Sequence, residues 1–165
     1  MIEIIPYEQK YLEEIITLVL HIQQDEFNVP ITLDDQPDLN DIQNFYQAGN
    51  GNFWIAVNDG KVVGTIALKK YNETEGALRK MFVHEKYRGK QFGAARMLMQ
   101  SLLDWSKDKD IRTIYLGTRL EMHAAHRFYE KNSFVQIVKE ALPEDFPLMQ
   151  TDNRFYRWSE VRECN

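Results

Sequence analysis

Cysteine is nearly absent from this chain of 165 residues, with Cys164 the single example. That count excludes an internal disulfide framework and a cysteine-rich zinc site, and we read Cys164 as a tail residue without a chemical role. No apolar run approaches the ~20 residues that a membrane-spanning helix needs, so no membrane partner is expected. The opening run Met1-Ile2-Glu3-Ile4-Ile5-Pro6 has no basic region followed by an apolar core. It does not read as a secretory signal, and a cytoplasmic location is the expectation. Positive charge is also in deficit, because 20 Lys and Arg face 25 Asp and Glu for a formal net charge of -5. Such a chain has no general attraction for nucleic-acid phosphates, and no nucleic-acid partner is expected. Two phosphate loops are missing as well. There is no G-x-x-x-x-G-K-[ST], and no G-x-G-x-x-G followed about twenty positions later by an acidic residue. ATP-driven and nicotinamide-dependent chemistry therefore lack their usual equipment.

What is present is a hydrophobic share of 44%, enough for one packed domain over residues 1–165. Ile2 to Ile5 reads as a strand stopped by Pro6. Leu12, Ile15, Val19 and Ile22 recur at spacings of three and four, which predicts a helix over Glu8 to Gln24. An acidic stretch from Asp25 to Asp38 follows, read either as a solvated loop or as an attractor of a cationic amine. A short second helix is predicted over Asp38 to Gln47 with Asp38 as its N-cap. Phe53–Val57 and Val62–Leu68 form a hairpin about Asp59-Gly60, a dipeptide that tolerates the positive φ of a tight turn. Gly76 to Val83 is a fourth strand. A helix over Gln91 to Lys107 carries Ala95, Leu98, Leu102 and Trp105 on one face. Thr113–Leu116 is a strand, His123–Lys131 a helix, and Phe134–Ala141 and Arg154–Trp158 two last strands. The order β-α-α-β-β-β-α-β-α-β-β predicts an α/β (α+β) fold, with a mixed sheet of about seven strands flanked by about four helices on both faces.

The most informative stretch runs from Leu78 to Ala94. A strand enters a polar turn holding Arg88, Gly89, Lys90, Gln91, Phe92 and Gly93, and a helix starts at once. Unpaired N–H groups at a helix start, with the helix dipole behind them, attract an anion. Arg88 and Lys90 add charge, and Arg88 suits bidentate bonding to phosphate. The same residues also read as a basic loop that merely caps a surface helix.

This stretch resembles the acetyl-CoA signature of the GNAT superfamily of N-acetyltransferases, [QR]-x-x-G-x-[GA], here Arg88-Gly89-Lys90-Gln91-Phe92-Gly93. Gln91 stands where the family has its first signature glycine, a replacement that keeps the backbone N–H. A second run, Met122 to Phe134, resembles N-x-x-A-x-x-[LF]-Y-x-[KR]-x-G-F, with Met122 for the asparagine and Ser133 for the glycine. The resemblance implies acetyl-CoA as cosubstrate, an amine acceptor that is a small molecule or a peptide, and no metal. It places the pantetheine arm along Met81, Phe82 and Val83, with the diphosphate on Arg88 to Ala94 and His123 nearby. A backbone N–H near Met81 or Phe82 would polarise the thioester. Tyr129 matches the family's general acid, and Glu75 or His84 is a candidate general base. His123 and His126 lie three apart, but no third metal ligand is evident. A homodimer is open by analogy alone. So are two alternatives to acetyl transfer: a non-catalytic acyl-CoA sensor, and a transferase for a different acyl group.

Overall fold

A computed structural model describes residues 1–160, so Cys164 lies outside the described residues. Asp59 and Gly60 both take positive φ, 50° and 79°, the conformation a two-residue hairpin turn requires. They join β2 (Asn52–Asn58) to β3 (Lys61–Lys70). With β1 (Ile2–Pro6), β4 (Glu75–Val83), β5 (Thr113–Thr118), β6 (Val135–Ile137) and β7 (Arg154–Ser159), these strands form one sheet in the order β1-β2-β3-β4-β5-β7-β6. Every neighbouring pair is antiparallel except β4 and β5. The sheet is therefore mixed and seven-stranded, as the alternation of hairpins and interleaved helices predicts.

Helices cover the sheet on both faces because each carries one apolar stripe. Leu98, Met99 and Leu102 of α2 (Ala94–Asp108) pack with Ile66, Leu68 and Leu116. Tyr129 of α3 (His123–Lys131) joins the same core. Ile15 and Val19 of α1 (Leu12–Leu20) pack with Phe53, Ile55 and Tyr46 in a second core. The last stretch of the first predicted helix widens into a π-turn over His21–Glu26.

Three predicted elements differ in detail. The helix expected over Asp38 to Gln47 is a 3-10 turn, Pro37–Asn40, followed by a wide turn, Gln43–Gln47. Asp38 does not cap it. Its carboxylate is buried, accepts a 2.5 Å hydrogen bond from the Tyr46 hydroxyl and lies 3.4 Å from the Lys80 ammonium. The acidic stretch is thus partly consumed inside the fold. The strand expected over Phe134 to Ala141 pairs only at Val135–Ile137 and ends in a 3-10 turn at Lys139–Ala141. The helix expected from Gln91 begins at Ala94, because Gly93 takes a left-handed φ of 68° and sets the helix start there.

The glycine replaced at Ser133 has a structural reason. Ser133 follows α3 at a φ of 70°. Its N–H donates to the Glu130 carbonyl at 3.2 Å, and the Phe134 N–H donates to the Tyr129 carbonyl at 3.0 Å. This is the paired closure that ends helices through a left-handed residue, and Phe134 packs its ring on Tyr129. A side chain at that φ is strained, so Ser133→Gly is expected to stabilise the fold by about 0.5–1 kcal/mol. Chemical denaturation of the two proteins measures the difference, and a loss of stability would contradict the account.

Candidate active site

β4 and β5 pair over three residues only, Glu75–Ala77 with Thr113–Tyr115. Beyond Ala77 the two strands part, and among the described residues β4 has no strand partner on that side from Leu78 to Val83. On the other side, β4 carries an extra residue. Thr65 stands opposite Phe82 and Ala67 opposite Arg79, so Lys80 and Met81 have no partners on β3. Lys80 takes a φ of 53°, and its carbonyl accepts a 2.6 Å bond from the Thr65 hydroxyl. A bulge of this kind re-aims the strand and takes backbone groups out of the ladder. It sits beside the gap, where a ligand has access to backbone.

Two cavities open on the gap. One lies beside the starts of α2 and α3 and is lined by Val83, Arg88, Ala95, His123 and Phe128. The other lies under the segment after β6 and is lined by Gln23, Ile31, Arg79, Phe146 and Asp152. Met81, Phe82, Met122, Ala125 and Tyr129 line both. The structure therefore brings together Met81, Phe82, Val83, Arg88, His123 and Tyr129 of the residues singled out from sequence.

The turn from Gly89 to Ala94 lies next to the first cavity. Gly89 has a φ of 107°, Gly93 caps α2, and the first helical bond runs from the Met97 N–H to the Gly93 carbonyl at 2.9 Å. The N–H groups of Ala94, Ala95 and Arg96 precede that bond and have no partner inside the helix. Gln91 is not among the residues of positive φ, so the missing glycine there costs no backbone strain. Arg88 has a different environment from the one its motif suggests. Its guanidinium donates through both Nη atoms to the Glu26 carboxylate and through Nε to the Val83 carbonyl at 2.8 Å. Arg88 thus ties the end of the first helical segment to the end of β4. The helix-start N–H groups are the better-placed anion donors.

Tyr129 is 5% exposed, and its hydroxyl has no hydrogen-bond partner among the described residues. Burial pushes its pKa well above the ordinary phenol value, and the negative charge of Asp152 adds to the effect. The phenol therefore keeps its proton at neutral pH. Neither candidate base shares this site. Glu75 accepts a 2.6 Å bond from Asn72 Nδ2 at the start of β4, and His84 accepts from the Lys86 N–H at 3.1 Å as a turn cap. Neither lines either cavity.

Glu121 lines the first cavity, and the carboxylate that lines the second is Asp152. Burial raises its pKa to about 6, against the opposing charges of Arg79, Lys80 and Arg119. Arg119 also holds the segment in place, donating from Nη1 to the Thr151 carbonyl at 3.0 Å. A Cβ at Gly117 would fall on the Asp152 side chain, so only glycine on β5 admits that carboxylate. Sequence reading missed Asp152 because it lies in an irregular segment far from both motifs. The glycine directly after the predicted strand Thr113–Leu116, Gly117, was the available signal of a close approach. Lys80 is buried beside it, with its pKa lowered to about 8 by burial and partly restored by Asp38. Its ammonium donates to Gln36 Oε1 at 2.7 Å.

Residues 16–134 match the model of the acetyltransferase (GNAT) family. N-acetylaspartate synthetase of Xenopus tropicalis is 37% identical over 102 residues, 61% of this chain and 37% of that protein. The chain spans about a third of the length of the curated relatives it matches first. A GNAT-family acetyltransferase of Staphylococcus aureus Mu50 superposes with a TM-score of 0.93 at 40% identity, covering 96% of this chain and 99% of that one. N-acetylglutamate synthase of Neisseria gonorrhoeae, solved with coenzyme A and N-acetyl-glutamate, shares the fold at a TM-score of 0.75 and 15% identity. That superposition covers 98% of this chain and 36% of the synthase.

Proposed function

The chain belongs to the acetyltransferase (GNAT) family, and from that premise we propose that it moves an acetyl group from acetyl-CoA to the amine of a small-molecule acceptor. The observation that carries this reading is the gap between β4 and β5, where two cavities meet at Tyr129. A donor entering from one side and an acceptor from the other meet only there. The pantetheine arm would lie along β4 from Met81 to Val83 as an added strand. The diphosphate would rest on the free N–H groups at the start of α2. N-acetylaspartate, in the name of one similar protein, favours a small amine over a protein substrate.

The reaction assigns one task to each group. Asp152, ionised above pH about 6, takes a proton from the acceptor ammonium. The free amine attacks the thioester carbonyl, forming the C–N bond and a tetrahedral oxyanion. Backbone N–H groups at the bulge, near Met81, meet that charge. The oxyanion collapses, the C–S bond breaks and the nitrogen loses its second proton. Tyr129 supplies a proton to the departing thiolate and is restored by the second proton from nitrogen, while Asp152 passes the first to solvent. The products are the N-acetylated acceptor, coenzyme A and one released proton.

Calorimetry with acetyl-CoA, followed by thiol release with a panel of amines, tests the reading. Micromolar binding with turnover on at least one amine is expected. Binding without turnover on any amine would favour an acyl-CoA sensor, and no binding to folded protein would overturn the reading.

A further inference from the structure

Arg79 is a nearly buried cation with poor partners. Its side chain is 11% exposed. Among the described residues its one hydrogen bond goes to the thioether sulfur of Met149, a weak acceptor. The nearest carboxylate oxygen, Asp38 Oδ1, lies 3.9 Å away, and that group is already engaged by Tyr46 and Lys80. The Phe45 ring supports the guanidinium from another side, at 5.4 Å. Buried guanidinium groups are ordinarily saturated by carboxylates or carbonyls, so N–H groups facing a cavity here await an anionic acceptor.

The same cavity holds the opposite case. The Asp152 carboxylate has no hydrogen bond and no ion pair within 4 Å among the described residues, although both it and Arg79 line the wall. The two do not satisfy each other. Lys80, next along β4, does not compete, because its ammonium is taken by Gln36 and Asp38. One chamber thus presents a cation short of an acceptor and an anion short of a donor, on the acceptor side of Tyr129.

We propose that the acceptor is a free amino acid, bound as its zwitterion with a carboxylate on Arg79 and the ammonium facing Asp152. This rests on the acetyl-transfer reading and narrows it. It makes Arg79 a specificity-determining residue that contacts the acceptor and takes no part in proton transfer. It also disfavours polycationic amines, which would set a positive charge against a buried guanidinium with no compensating carboxylate.

The test uses the whole chain with acetyl-CoA or coenzyme A bound. L-Aspartate, L-glutamate, L-phenylalanine and L-lysine are each compared with an amine of the same skeleton that has no carboxylate, 2-phenylethylamine and cadaverine among them. Both equilibrium binding and kcat/KM are read. At least one amino acid is expected to exceed its carboxylate-free counterpart by 100-fold or more. Arg79→Gln is expected to shrink that ratio toward one, chiefly through KM, and Arg79→Lys to restore part of it. Retained acetyl-CoA binding in both variants reports that they fold. Equal use of the paired ligands by the wild type, or binding of none of the amino acids, would overturn this inference and leave the donor half of the reading intact. Absence of acetyl-CoA binding would instead strike at the acetyl-transfer reading itself.

Discussion

Replacing Asp152 by asparagine is expected to lower kcat/KM about 10²–10⁴-fold, the range a lost general base commands, while acetyl-CoA still binds. The same change is expected to stabilise the protein at pH 8. Burial holds the carboxyl at about 6 instead of 3.8, so the folded state disfavours its charge. The stability contributed by the protonated group is complete below pH ~4 and is lost as pH rises through about 6. Asparagine escapes that loss. The variant should therefore match the wild type at acid pH and exceed it by roughly 1–2 kcal/mol at pH 8, less than the full shift implies because the group touches the cavity. Urea unfolding at pH 4 and pH 8 reads the difference. The wild-type kcat/KM should rise with pH through about 6, and the variant's residual rate should lose that limb. A variant that keeps its rate would remove Asp152 from the mechanism, and one that is less stable than the wild type at pH 8 would contradict the burial account.

The contrast between Asp152 and Tyr129 shows which parts of this molecule its sequence exposes. Local rules set the hairpin at Asp59-Gly60 and the bounds of α3, and both are legible; the start of α2 is legible only to within a turn, because the left-handed Gly93 moves it from Gln91 to Ala94. Tyr129 is legible because it lies within α3, four residues from Ala125 and inside a motif of fixed spacing. The acceptor chamber is built otherwise. Arg79, Arg119 and Asp152 come from three separate segments and meet only once the sheet has formed. Nothing local announces their meeting. Asp38 looks like a helix cap because aspartate favours that position, yet the Tyr46 hydroxyl and the Lys80 ammonium give it stronger partners in the interior. Glu75 and His84 look like bases because they flank the fourth strand. The site lies at the strand's middle, where the bulge opens it, and one residue of extra backbone leaves no periodic mark.

Tyr129→Phe is expected to lower kcat by about 10²–10³-fold and leave the KM for acetyl-CoA within a few-fold. The reason lies in which interactions the substitution deletes. The ring packs against Phe128, Phe134 and Tyr156, with centroids 5.8 to 5.9 Å apart, and phenylalanine keeps all three contacts. The hydroxyl bonds to nothing among the described residues, so its removal leaves no buried partner unsatisfied. Unfolding free energy should change by less than ~0.5 kcal/mol, as for a substitution that opens no cavity and breaks no bond. A purely structural tyrosine would show the reverse pattern, with stability lost and rate tracking the folded fraction. The phenol's raised pKa adds a second signature. Because Tyr129 stays protonated through the assay range, its ionisation adds no basic limb below pH 10 to the wild-type profile. The variant should lose the same factor at pH 6.5 and at pH 8.5, relative to wild type. A rate defect that heals at the higher pH would show that the departing thiolate, whose thiol has a pKa of ~8.5, needs no proton from this group. Tyr129 would then be an element of packing, and another donor would have to serve the leaving sulfur.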